Sequence, residues 1–282
     1  MQIHSISGPI SDAERAALLF SGDIIIQRRV PAMRDLIAFS DQLLRDALAV
    51  DCPAKAHLTL APEAFLNRSC QAQKLFRTSA RARALFFEAL KQCGLDTANT
   101  YYDHFPMRVV PCSTSHQGAH RSAIGHHRDT WGSNISAQQN WWAPIYTIEP
   151  QRSIALYPQY WSRGVANTTD SWSFDDYLAT RAAGVEDRHI DYPSAPQCLE
   201  TIDEQGAVKI ALEPGDILNF ASAQLHASVV NTTQSIRYSV EMRTLGHTDL
   251  QCARTAPNVD NLATTPMYPW FKHIESGEKA NF

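Results

Sequence analysis

Residues 213–237 read EPGDILNFASAQLHASVVNTTQSIR, and Tyr238 and Ser239 follow directly. Glu213, Pro214, Gly215 and Asp216 form a turn signal between two β-rich runs, 207–212 and 216–221, which predicts that these runs pair as neighbouring antiparallel strands. A further run, 226–230, opens on His226. The next, 236–245, alternates cleanly: Ile236, Tyr238, Val240 and Met242 share one face, Arg237, Ser239, Glu241 and Arg243 the other, because successive strand side chains point to opposite sides. Working outward, residues 101–110, 141–148 and 153–157 have the same short, turn-bounded β texture. That spacing predicts a sandwich or barrel.

The flanks read differently. Before residue 100 the chain is mainly helical, with one strand-like run at 23–28 carrying Ile24, Ile25 and Ile26. Pro31 suits a first helical turn, and Met33, Leu36, Ile37, Leu43, Leu44, Ala47 and Leu48 recur at helical spacing. A second amphipathic helix starts near Ser79 and stops at Gly94. Residues 161–205 form a polar insertion with a helix expected near 174–183, and the aromatic tail 251–282 reads as an arm or lid. The expected layout is one domain over 1–282: helical support to 99, a β core over 100–250 and the C-terminal arm.

The 25 basic and 29 acidic residues are scattered and give a net charge of −4, so no footprint for nucleic acid or anionic lipid is expected. No segment reaches the ~20 apolar residues of a membrane helix, and the N-terminus lacks the features of a signal peptide. Six separated cysteines without a CxxC pair predict reduced thiols and a cytoplasmic protein.

Chemistry enters with the histidines. A non-haem iron(II) site needs two imidazoles and one carboxylate on one side of the metal, so that the opposite positions stay open. A His-x-Asp pair on one strand supplies two of these ligands, and a distant strand the third. Three such pairs occur, His127 with Asp129, His189 with Asp191 and His247 with Asp249, and with 11 histidines and about 18 aspartates roughly one is expected by chance. The last has too little chain after it for the strands that separate ligands in a β-barrel, and the second lies in the polar insertion. His127 and Asp129 precede His226 by a span that fits opposing strands. Eleven residues after His226, Arg237 and Ser239 would face the barrel mouth, and the planar guanidinium matches the far carboxylate of 2-oxoglutarate.

Gly125 to Thr130 (GHHRDT), the quoted stretch and Arg237-Tyr238-Ser239 resemble the phytanoyl-CoA dioxygenase family of iron(II)/2-oxoglutarate oxygenases. The resemblance implies a mainly β fold with flanking helices: a double-stranded β-helix (jelly roll, cupin-like) core with the N-terminal helices packed on its major sheet. It implies His127, Asp129 and His226 as Fe(II) ligands, catalytic and metal-binding alike, and Arg237 with Ser239 as the 2-oxoglutarate anchor. It also places Trp141, Trp142 or Gln139 beside the cosubstrate; Trp142 and Gln139 are the chosen candidates. The usual "PGSH"-like turn is replaced by Leu156-Tyr157-Pro158-Gln159-Tyr160-Trp161, so substrate contacts do not carry over. Trp131, Arg152, Tyr157 and Trp161 are the substrate candidates, with Tyr160, Arg163, Arg108 and Arg121 as further possibilities and His126 as structural. Because a carboxylate ligand occupies the position left open in halogenating relatives, hydroxylation of a small-molecule metabolite with dioxygen is the expected reaction, by a monomer or homodimer. A cupin-type metalloenzyme without 2-oxoglutarate, a non-catalytic jelly-roll binding protein, and a site at His189 and Asp191 are the competing readings.

Overall fold

A computed structural model of the chain describes residues 1–112, 124–182 and 193–282. Strand β1 (Ile3–Ile6) leads into α1 (Asp12–Phe20), whose entry is closed by a capping box between Ser11 and Glu14. Strand β2 (Ile24–Gln27) is fully buried, as its isoleucines require. Four helices follow, α2 (Pro31–Leu48), α3 (Ala56–Thr59), α4 (Pro62–Thr78) and α5 (Ala80–Gln92). Proline opens α2 and α4, and Ser79 caps α5 by accepting from the Ala82 N–H.

Strands β3 (Thr100–Tyr102), β4 (Met107–Val110), β5 (Gln138–Pro144) and β6 (Ile154–Leu156) come next, with the short helix α6 (Asp129–Ser133) before β5 and α7 (Phe174–Ala182) after β6. The remaining elements are β7 (Val208–Lys209), β8 (Ile217–Ala221), β9 (His226–Ser228), β10 (Arg237–Gly246), α8 (His247–Gln251) and β11 (Lys272–His273).

The strands form two sheets. The larger runs β1-β2-β8-β5-β10-β3-β11, with β4 also on β10, and the smaller runs β7-β6-β9. The sheets face each other, and Trp142, Leu218 and Phe220 from the larger pack on Ile154 and Leu156 from the smaller, with Ile210 and Leu212 closing the layer. On the outer face of the larger sheet Trp141, Tyr238, Val240 and Met242 pack against Leu36 and Leu44 of α2, Phe65 and Phe76 of α4, and Phe86 and Leu90 of α5. This is a mainly β jelly roll with helices on its major sheet. The alternation in β10 therefore sends its apolar face to the helices and its polar face between the sheets.

Two expectations are corrected. The run 101–110 is broken into β3 and β4, both antiparallel to β10. Asp103 at the break exchanges backbone and side-chain bonds with Arg243, and Pro106 has no N–H to give to a ladder. Nor do the runs flanking residues 213–216 form a hairpin: β7 pairs with β6 in the smaller sheet, while β8 lies between β2 and β5 in the larger. The turn crosses from one sheet to the other because its Asp216 carboxylate is buried and held by the Arg28 guanidinium (2.7 Å) and the Arg29 N–H (3.0 Å). Gly215 sits at φ +97°, with the Arg34 side chain 2.6 Å from where a Cβ would stand. The sheet also extends beyond the 100–250 core, gaining β1 and β2 from the N-terminal region and β11 from the tail. Among the described residues no helix is long and apolar enough to cross a membrane.

Since Asp216 anchors the crossover, Asp216→Ala is expected to lower unfolding free energy by about 1–3 kcal/mol through the unpaired donors it leaves behind. Urea denaturation of the two proteins, read as a shift of midpoint at unchanged slope, checks this.

Candidate metal centre

His127 and His226 face each other across an isolated antiparallel bridge: each N–H donates to the other's carbonyl at 3.0 Å. Such mutually bonded pairs hold the two residues directly opposite, and the imidazole centroids lie 4.2 Å apart. Asp129 comes from a different element than expected. It does not continue a strand with His127 but opens α6, which Asn134 ends in the left-handed conformation. The turn into α6 is set by buried Arg128, whose guanidinium donates to Asp260 (2.8 Å) and to the carbonyls of Tyr160 (2.7 Å), Arg163 (3.0 Å) and Ala223. The helix start swings the Asp129 carboxylate back beneath both rings, 3.9 Å from His127 Nε2 and 3.5 Å from His226 Nε2.

The three ligand atoms lie within 4.8 Å of one another, close enough to share one ion. His127 Nδ1 is 2.8 Å from the Gly125 carbonyl and His226 Nδ1 is 3.0 Å from the Gln224 carbonyl. A carbonyl can only accept, so each Nδ1 carries the proton and each Nε2 presents its lone pair to the shared centre. Burial, and then the neighbouring His226 ring, pushes His127 down to about 4, which keeps it neutral and ready to ligate at physiological pH. For Asp129 burial works against the charge, but the Arg243 guanidinium, the two imidazoles and the Asn140 amide outweigh it and hold the carboxyl far below its usual range.

Both oxygens of Asp129 are oriented by partners. Asn140 Nδ2 donates to Oδ2, and Arg243 Nη1 donates to Oδ1 at 3.1 Å. Asn140 is in turn fixed by the Ser222 hydroxyl, which donates to its Oδ1 at 2.5 Å, and Arg243 by Asp103 at 2.5 Å. Asn140 and Asp103 escaped the sequence reading, and Arg243 entered it only as a member of the polar strand face. Asn140 was within reach of it: in β5 it lies two residues from Trp142, so the period-two rule puts both on one face and Gln139 on the other.

The ligands line a small inner cavity together with Arg108, Trp142, Ile154, Phe220, Ser228, Arg237 and Glu241. Arg237 is 2% exposed. Its guanidinium donates to the Ser153 carbonyl (2.5 Å) and the Ser228 hydroxyl (3.0 Å), while its Nε has no partner. Among the described residues no carboxylate stands within salt-bridge distance of it, whereas Arg108 pairs with Glu241 at 2.5 Å and Arg243 with Asp103 and Asp129. Burial, only partly offset by the more distant Glu241 carboxylate and reinforced by Arg108, pulls Arg237 down to about 10. Ser239, two residues along the same strand face, is fully buried and its hydroxyl also lacks a partner.

The other expected residues are dispersed. Trp142 forms part of the cavity wall. Gln139 is buried away from it and donates to Asp249 at 3.3 Å. Trp131 is buried with its indole N–H on Asp260, Arg152 donates to the Thr147 carbonyl, and Trp161 packs over Gly22, so all three are held by packing rather than presented to the cavity. Tyr157 donates to Glu204 at 2.8 Å, and His126 contacts both groups while lining a second, outer cleft. His247 and Asp249 belong to α8, with Asp249 paired to Arg254. Arg121, His189 and Asp191 lie outside the described residues.

No family model matches the chain, and no curated protein matches it. Solved structures do. One is described as EctD from S. alaskensis with 2-oxoglutarate and 5-hydroxyectoine: 16% identity, 96% of this chain and 86% of that one, TM-score 0.44. Another is the non-haem alpha-ketoglutarate-dependent epimerase SnoN from nogalamycin biosynthesis: 14%, 83% and 82%, TM-score 0.40. A third is the non-haem monooxygenase ThoJ: 14%, 76% and 69%, TM-score 0.38. At such scores the likeness carries no weight for function, which rests on the cavity itself.

Replacing Asn140 by Ala frees one oxygen of Asp129 and is expected to weaken Fe(II) or Mn(II) binding by about 10- to 100-fold, measured by metal titration of the folded protein. The low value of His127 also has a sign. Its folded pKa lies below the unfolded one, so the unfolded chain binds the extra proton and stability falls with acidity between about pH 6.5 and pH 4. Metal-free His127→Gln is expected to show a shallower fall over that window in thermal melts.

Proposed function

We propose that the chain is an iron(II)- and 2-oxoglutarate-dependent oxygenase, with His127, Asp129 and His226 as metal ligands and Arg237 as the anchor of the cosubstrate's far carboxylate. The observation that carries this is the buried Arg237 guanidinium, which shares the cavity of the three ligands and has no carboxylate partner. A buried cation without a partner carboxylate is costly, and the carboxylate of a dicarboxylate held by Arg237 would remove that cost. The ligand set fits iron: two neutral imidazoles and one carboxylate is the donor combination of non-haem iron(II) oxygenases. Support also comes from the resemblance of the GHHRDT and EPGD segments to the phytanoyl-CoA dioxygenase family.

When bound, iron and 2-oxoglutarate supply oxidising power from dioxygen, with succinate and carbon dioxide as the cosubstrate's products. The chain's own residues bind and orient. Arg237, with Ser239 and Ser228 as hydroxyl donors, takes the carboxylate end, where a planar fork favours two parallel hydrogen bonds. Asn140 and Arg243 keep the Asp129 carboxylate in one orientation, in which it would hold the metal without rotating. Trp142, Ile154 and Phe220 line the cavity with apolar surface and exclude water, which strengthens each of these charged contacts. The carboxylate ligand makes hydroxylation of a small metabolite the default outcome. Free thiols at Cys52, Cys70, Cys93, Cys198 and Cys252 support work in a reducing compartment such as the cytoplasm.

Anaerobic titration of the iron(II) protein with 2-oxoglutarate is expected to develop the weak visible charge-transfer band of the chelate. In Arg237→Ala the affinity for 2-oxoglutarate should fall by about 100-fold or more with iron affinity retained, because a buried charged partner is removed. Iron bound by the wild type with no band at any 2-oxoglutarate concentration would contradict the assignment and favour a cupin-type metalloenzyme.

A further inference from the structure

Beyond the three ligands the inner cavity widens into a larger outer cleft, open to solvent and bordered by His127, Asp129, Arg108 and Arg243 on its floor. One side of this cleft is aromatic. Trp172 and, from α7, Phe174 and Tyr177 line it, and Trp270 from the tail meets them. Phe174 is the hub, with ring centroids 4.6 Å from Trp270, 6.0 Å from Tyr177 and 6.2 Å from Trp172. None of the four is fully buried, unlike Trp131, Trp141 and Tyr160, which fill the core. Phe174 and Tyr177 stand three apart on a helix, a spacing that puts both on one face. Partly exposed rings gathered along a cleft are a ligand surface more readily than a core.

Among the described residues the charges facing this wall, the exposed Lys272 apart, are matched. Arg108 is satisfied by Glu241, and Arg243 by Asp103 and Asp129. Arg128 pairs with Asp260, His104 lies 3.1 Å from Asp103, and His126 lies 2.9 Å from Glu204. Lys272 is exposed to water at the rim. Within the inner cavity Arg237 is the one cation of the described residues without a carboxylate, and the cosubstrate accounts for it. A doubly charged metal and a doubly charged dicarboxylate then enter as a neutral pair. An ionised group brought to the metal by a substrate would lose water and, among the described residues beside the ligands, find no unpaired counter-ion.

We infer that the outer cleft binds an uncharged molecule with a flat ring system, its face laid on the Phe174 and Trp270 rings and its reacting edge turned to the metal. The inference rests on the cosubstrate reading, which fills the inner cavity and leaves the outer cleft for substrate. The wall of four rings is wider than a single benzene ring, and stacking on it favours fused or polycyclic faces. The two segments that build it, the insertion and the C-terminal tail, are those the sequence marks as additions to the β core.

The test compares 2-naphthol, uncharged at neutral pH, with 2-naphthoate, which is ionised and of similar size, by anaerobic calorimetry on the full chain loaded with Fe(II) and 2-oxoglutarate. Naphthol is expected to bind at least about tenfold more tightly than naphthoate, and to lose about tenfold in Trp270→Ala and several-fold in Phe174→Leu, which keeps apolar bulk but removes the ring. The 2-oxoglutarate band is read in the same samples and should be unchanged in both variants. Equal or tighter binding of naphthoate, or naphthol affinity indifferent to both substitutions, overturns the inference. Naphthol binding that depends on Phe174 in a protein that forms no 2-oxoglutarate band would sustain the ring site and defeat the cosubstrate reading instead.

Discussion

Two backbone hydrogen bonds exchanged between His127 and His226 are the constraint on which the site depends. They join chain segments 99 residues apart in sequence at the end of the smaller sheet, and they do so at the level of the main chain, before any metal is considered. Once the two residues are opposite each other, the ring spacing follows. The carbonyls of Gly125 and Gln224, each two residues upstream of its histidine, then select the tautomer that leaves Nε2 available. Both flanks of the bridge are held by packing: the smaller sheet by Ile154 and Leu156 against Trp142 and Phe220, and α6 by the buried Arg128 and Asp260 pair. The metal centre is thereby pre-organised, and binding energy need not be spent on assembling it.

The polar face of β10 supplies the second constraint. Arg237, Ser239, Glu241 and Arg243 project between two sheets where water is scarce, so every charge there requires a partner. Two of the three guanidinium groups in this region are neutralised by protein carboxylates and fix ligand geometry through Asp103, Asp129 and Glu241. The third, Arg237, is left for a ligand. On the proposed reading one strand carries both a device that positions the metal's carboxylate and one that recognises an external carboxylate, at opposite ends of the same cavity face.

Much of this was legible in the sequence, because alternation in a strand is a local property. The two faces of 236–245, the strand at Ile24, and the helices from Pro31 and Ser79 all follow from spacing and capping. What was not legible depends on which sheet a strand joins. The turn at 213–216 looks like a hairpin from its residues alone, and only the buried Arg28 to Asp216 contact, made by residues far apart in the chain, reveals the crossover. Asp129 looked like a strand residue because a His-x-Asp spacing fits one strand face, whereas Arg128 anchored to Asp260 turns the chain into a helix there. Trp131 and Trp161 were chosen as substrate residues for being aromatic and near the ligands, yet Trp131 is buried in the core and Trp161 lies partly buried over Gly22. Phe174 and Trp270, in the parts of the sequence with the weakest pattern, form the wall of the cleft.

The most direct measurement is a crystal structure of the chain grown without oxygen in Mn(II) and 2-oxoglutarate, with anomalous data at the manganese edge. The account predicts one strong anomalous peak bound by His127 Nε2, His226 Nε2 and an Asp129 oxygen, with the cosubstrate's distal carboxylate on the Arg237 guanidinium. A metal held elsewhere, or a cosubstrate whose distal carboxylate lies away from Arg237, would contradict it.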